Sequence, residues 1–172
     1  MLKKSNGYLE EYYEQCRSGE IIVGQELLTE LEQLMDDIND DEYIFDTSDA
    51  DKRIRFIENC LRLTKSPFYG QQFKLELFQK AFISALYGFK MQDGTDRFQQ
   101  ALYLIARKNG KSEFCSALLL TEMIIGGKGL DIVCSSNDDN QANILYQACD
   151  TMRVMIDPEN RDTWRNQQNI RC

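Results

Sequence analysis

Seven consecutive residues, Ala106-Arg107-Lys108-Asn109-Gly110-Lys111-Ser112, have the types and order that hold an anion. Gly110 lets the backbone approach a ligand with no Cβ in the way. The amides that open the following helix have no partner within it, and the helix dipole favours negative charge there. Lys111 would reach the β- and γ-phosphates of a nucleotide, and the Ser112 hydroxyl would ligate Mg²⁺. The usual phosphate-loop pattern, G-x-x-x-x-G-K-[ST], asks for a glycine where this chain has Ile105. A polar turn at an ordinary helix start carries the same residues, and the motif by itself leaves both readings open.

The loop needs a strand before it and a helix after it. An apolar run, Ala101-Leu102-Tyr103-Leu104-Ile105, precedes it, and a helical pattern from Glu113 to Ile125 follows. A second apolar run, Leu130 to Cys134, comes after Gly126-Gly127. Strand, loop, helix and strand together predict a βαβ unit over residues 98–134, with both strands apolar as central parallel strands are. Its crossover is expected to be right-handed. Asn137-Asp138-Asp139 predicts the cap of a further helix, Gln141 to Ile156. The tail, residues 157–172, is polar and shows no pattern of a regular element.

Before Phe98 the chain reads as helical. Helices are predicted over Tyr8–Arg17, Gln25–Asn39, Asp49–Leu63 and Leu75–Gly88, each with apolar residues at helical spacing. Thr47 or Ser48 would cap the third. An acidic loop spans Asp36–Asp46, Ser66-Pro67-Phe68-Tyr69-Gly70 is a turn, and Met91–Asp96 is a polar turn. The fold class is therefore α/β: a helical N-terminal region, residues 1–70, and then the first βαβ unit of a nucleotide-binding domain, residues 71–172, with an incomplete sheet. No later strand ends in a carboxylate pair.

Composition narrows the classes further. The 172 residues suffice for a real core and carry a net charge of −8. Residues 1–60 hold 16 acidic and 6 basic side chains, net −10, and residues 61–172 hold 12 and 14, net +2. An acidic N-terminal part repels a phosphate backbone, so tight DNA binding by this chain alone is not expected. The absence of histidine excludes serine-histidine and cysteine-histidine catalysis and cysteine-histidine zinc sites. The six cysteines (Cys16, Cys60, Cys115, Cys134, Cys149, Cys172) show no C-x-x-C spacing and read as reduced thiols. No apolar run is long enough to span a bilayer, and Met1–Asn6 lacks the apolar stretch of a signal peptide, so a cytoplasmic location is expected.

Four stretches in register give the chain a resemblance to a known family. They are Tyr43-Ile44-Phe45-Asp46 with Ala50, Arg53, Ile54, Phe56, Ile57 and Glu58; Phe73 to Lys80 ending in Tyr87-Gly88-Phe89; Arg107 to Ser112; and Gln141-Ala142. From about Tyr8 to Met155 the chain resembles the N-terminal part of a tailed-phage terminase large subunit, the ATPase that packages viral DNA. The resemblance accounts for Ile105, because that family often lacks the first loop glycine. It implies the fold of a P-loop NTPase of the ASCE type and ATP with Mg²⁺ as ligands. It implies Lys111 and Arg107 as catalytic, Arg107 as a cis-acting arginine finger, and Gln79 as reader of the adenine edge. Gln79, Arg107, Lys108, Asn109, Gly110, Lys111 and Ser112 would then line the nucleotide site, with Ser112 on the metal.

The full family also carries a Walker B Asp-Glu pair and a nuclease domain, neither of which is found here, so the chain reads as cut before its catalytic half. Full ATPase activity and all nuclease activity are therefore not expected of it alone. In the whole motor the partners would be viral DNA, a small terminase subunit and the portal, with no membrane. The alternative is a helical interaction module that binds the small subunit or portal without turning over nucleotide. A complete small nucleotide kinase has too few strands to fit.

Overall fold

The computed structural model describes residues 7–127, 130–165 and 170–171, with only the backbone of Asp139. The readings made on Met1–Asn6 and on Cys172 lie outside the described residues. The chain divides into two compact units, Met1–Ile54 with Leu75–Tyr103, and Arg55–Lys74 with Leu104–Cys172.

The first unit contains α1 (Tyr8–Ser18), α2 (Gln25–Asp37), β1 (Tyr43–Phe45), the start of α3 (Ser48–Cys60), α4 (Leu77–Gly88) and β2 (Phe89–Met91). Leu9, Tyr12 and Cys16 recur at helical spacing on α1 and are buried with Leu31 and Leu34 of α2, Ala81 of α4, and Phe89. Each large side chain in that cluster contributes about 1.5–3 kcal/mol by leaving water. Phe89 is fully buried, and three aromatic rings surround it, Phe45 at 4.6 Å, Phe98 at 5.9 Å and Tyr43 at 6.5 Å between centroids. β1 and β2 pair antiparallel, with Tyr43 opposite Met91 and Phe45 opposite Phe89. Gly88 makes that pairing possible, because a Cβ there would lie 2.7 Å from the Phe45 ring. Arg97 closes the unit. Its Nη2 donates to Asp37 Oδ2 at 2.6 Å, and its guanidinium lies 3.9 Å from the Tyr43 ring centroid.

The second unit holds the end of α3, a chain reversal over 61–74, α5 (Lys111–Ile125), α6 (Asp139–Ile156), β3 (Trp164–Arg165) and β4 (Ile170–Arg171). In the reversal, Leu63 N–H donates to Gln71 O, Gly70 N–H to Leu63 O and Phe73 N–H to Leu61 O. α5 and α6 pack on each other. They bury Phe114, Ala117 and Leu120 of α5 and Ala148, Cys149 and Met152 of α6. Ser116 Oγ donates to Leu145 O at 3.2 Å, and Cys149 Sγ to Ser116 O at 3.3 Å, so polar bonds fix the register of the pair. Burial pushes the Cys149 thiol up to about 12, which keeps it protonated and unreactive.

Three expectations are corrected. The predicted strands at residues 98–106 and 130–134 are in no ladder among the described residues, so the βαβ unit is present only as its helix. The reason is in their surroundings. A central parallel strand needs a neighbour on each edge and cover on both faces. Here Leu102 is 86% exposed, Leu104 84% and Val133 86%. Apolar character alone therefore does not make these stretches strands here. Second, Tyr43–Phe45, read as part of an acidic loop, is a strand, because Phe89 and Arg97 give its aromatic side chains a partner. Third, the polar tail is partly ordered: β3 pairs with β4, Trp164 opposite Arg171 and Arg165 opposite Ile170. Buried Arg153 ties α6 to it, donating to Asp150 Oδ1, Asn160 Oδ1 and Thr163 Oγ1. The chain is thus mixed helix and short strand with incomplete sheets.

Candidate phosphate-binding loop

The loop lies in the second unit, at the start of α5. Gly110 is the residue ahead of the helix, with φ +73°. Lys108 also has positive φ, +69°, and Asn109 between them does not. Alternation of hand along a short segment turns successive amides to the same side, which is how backbone nests gather an anion. No side chain caps the helix, and Gly110 O already accepts the first helical bond, from Phe114 N–H at 2.9 Å. The amides of Lys111, Ser112 and Glu113 are the donors a helix leaves without an internal partner. Arg107, Lys108, Asn109, Gly110 and Lys111 are exposed, and Ser112 is half-buried. The loop thus joins left-handed backbone, unbonded amides, two lysines and an arginine at one helix start. Chemically, that is the donor set an oxyanion would need.

Two thiols bear on the electrostatics near the loop, Cys115 on α5, which feels Lys111, and Cys134. Burial raises the Cys115 thiol, against the opposing pull of the Lys111 ammonium, and burial also raises Cys134. Protonated thiols add no negative charge to compete with a phosphate. Glu113, the third residue of α5, is 9% exposed and leaves its own helix. Its Oε2 accepts from Thr64 N–H at 3.0 Å, and its Oε1 accepts from the Thr64 hydroxyl. Sequence reasoning passed over both residues, since nothing local marks a partner 49 positions away.

Gln79 belongs to the first unit, on α4. It is 5% exposed, and its Oε1 accepts from Glu76 N–H at 3.0 Å at the start of that helix. Because an N–H can only donate, the amide oxygen must face it, which leaves the NH₂ end to meet anything else. Gln141 and Ala142 sit in the first turn of α6, whose cap is Asp138, with Oδ1 accepting from Asn140 N–H at 3.0 Å. The structure therefore brings residues 107–112 together at one helix start and places Gln79 in the other unit.

Comparison with known proteins bears on this arrangement. The sequence model of the family "Terminase large subunit, ATPase domain" matches residues 77–168, more than half of the chain, and spans both Gln79 and the loop. A curated relative, the "Terminase, large subunit" of Enterobacteria phage HK97, is 31% identical over 112 residues, which is 64% of this chain and 21% of the relative. The chain thus spans about a fifth of that relative's length. No solved structure matches the chain significantly. With the family match running through α4, the loop, α5 and α6, the chain belongs to the terminase large subunit ATPase-domain family.

Proposed function

We propose that this chain is the nucleotide-binding part of a viral DNA-packaging motor, with residues 107–112 as the site for the phosphates of ATP. The observation that carries the reading is the loop's backbone: left-handed Lys108 and Gly110 directly ahead of a helix whose first amides have no internal partner. A Cβ added at Gly110 would meet nothing within 4 Å, so the space beside the backbone at that residue is open. Those features suit a polyphosphate held mainly by backbone donors and the helix dipole.

In this reading Lys111 pairs with the outer phosphates, and the half-buried Ser112 hydroxyl is the metal ligand. Mg²⁺, when bound, would neutralise phosphate charge. Lys108 and Asn109 shape the nest. Exposed Arg107 opens the turn, and its guanidinium serves charge that develops on the outermost phosphate. Gln79 takes the role the family resemblance implies for it, reading the adenine edge. The P-loop NTPase fold of the ASCE type would be completed by strands beside 101–106 and 130–134. DNA, a small terminase subunit and the portal would be partners of the complete protein. Among the described residues no helix is long and apolar enough to cross a membrane. The test is calorimetric titration of this chain with MgATP. Binding that Lys111→Ala removes supports the reading, and equal affinity in that variant excludes the loop.

A further inference from the structure

We infer that Thr64 acts as a positioning residue by holding the Glu113 carboxylate away from the loop's own amides; the inference rests on the loop being the phosphate site. A glutamate at the third position of a helix ordinarily folds back and accepts from the backbone N–H of the residue ahead of the helix. The helix dipole favours that placement of negative charge. In this chain the residue ahead of α5 is Gly110. A self-capping Glu113 would therefore occupy one of the amides the loop offers to a phosphate, and would add a negative charge beside it.

The structure shows the other arrangement. Both carboxylate oxygens of Glu113 are engaged by Thr64, Oε2 by its N–H at 3.0 Å and Oε1 by its hydroxyl. Thr64 is itself fixed in a chain reversal whose backbone bonds run between Leu63 and Gln71, Gly70 and Leu63, and Phe73 and Leu61. The side chain is 9% exposed, so the two donors from Thr64 also satisfy a carboxylate that would otherwise be buried without partners. Holding the acid on residue 64 leaves the Gly110 amide to the ligand and keeps a negative charge off the neighbouring ones. The 61–74 reversal thereby controls how available the phosphate site is, with no residue of its own in that site.

The test is calorimetric titration of the whole chain with inorganic tripolyphosphate, with thermal melts of each variant to choose a temperature at which all are folded. Thr64→Val keeps the backbone donor and loses the hydroxyl, and is expected to weaken binding about fivefold by releasing one oxygen to the loop amides. Thr64→Ser keeps both donors and should bind as the parent does. Removing the competitor should rescue the defect: Thr64→Val with Glu113→Ala should return to within about twofold of parental affinity, a recovery that damaged packing would not show. Lys111→Ala is the control for the site itself. If Thr64→Val binds like the parent while Lys111→Ala loses binding, this inference falls and the phosphate site stands. A double variant as weak as Thr64→Val also overturns it, leaving the contact a matter of fold alone. If Lys111→Ala binds undiminished, the proposed phosphate site fails and the inference with it.

Discussion

Substituting Gly110 with alanine separates the loop's backbone geometry from everything else in the site. Gly110 has φ +73°, and an added Cβ would touch nothing within 4 Å. The penalty is therefore conformational and not steric. Holding an L-residue in the left-handed region costs about 1 kcal/mol relative to glycine. If the loop relaxes to escape that strain, the population able to bind phosphate falls by a factor of about five, and the apparent affinity for MgATP falls equally. Asparagine tolerates the left-handed region better, so Gly110→Asn should lie between parent and alanine. Gly19→Ala is the matched control, since it has φ +80°, nothing within 4 Å of its Cβ, and a place at the end of α1. It should lose about the same 1 kcal/mol of stability with no change in MgATP affinity. The assay is calorimetric titration beside urea unfolding of the three variants and the parent. Unchanged MgATP affinity in Gly110→Ala, with stability reduced as in Gly19→Ala, would refute the argument that left-handed backbone at 110 shapes the site.

Two further outcomes follow from the same structure. Gln79→Ala should destabilise the chain by about 1 kcal/mol, because it strips the Glu76 amide of its acceptor at a part-buried helix start; Gln79→Glu, which keeps an acceptor, should retain most of that stability in urea unfolding. Asp157 is lowered to about 2, chiefly by the backbone donor of Arg161, with further bonds from Thr163 and Asp162. A folded value below the ordinary 3.8 means that its stabilising effect is whole above about 4, declines below that, and is lost as pH falls through about 2. Fluorescence of Trp164, the single tryptophan, should report loosening of this turn in that window, and Asp157→Asn should abolish the acid transition.

Helices were legible because their signals are local. Leu9, Tyr12 and Cys16 repeat at the helical period, and the ends of α1, α2, α5 and α6 fall within two residues of expectation. α3 stops three residues early, at Cys60, because the Leu61 carbonyl and both backbone groups of Leu63 find their partners in the 61–74 reversal. The sequence over-reads residues 101–106 and 130–134, since an apolar run satisfies the strand pattern whether or not a neighbouring strand pairs with it, and none does among the described residues. The same logic hid β1: three residues beside an acidic run carry no period, and only Phe89 and Arg97, more than 40 positions on, explain them. At the loop, residue types and spacing were visible, and so was the need for glycine at 110. The left-handed turn at Lys108 was not, because lysine has no preference for it. Nor was the pairing of Thr64 with Glu113, which depends on tertiary closure.

The central claim is that MgATP binds at residues 107–112. The most direct measurement is a ¹⁵N-labelled amide titration of this chain with MgATP. The account predicts saturable shifts at the Lys108, Gly110, Lys111 and Ser112 amides, all lost in Lys111→Ala. Saturable shifts confined to other residues, with these four unmoved at saturation, would contradict it.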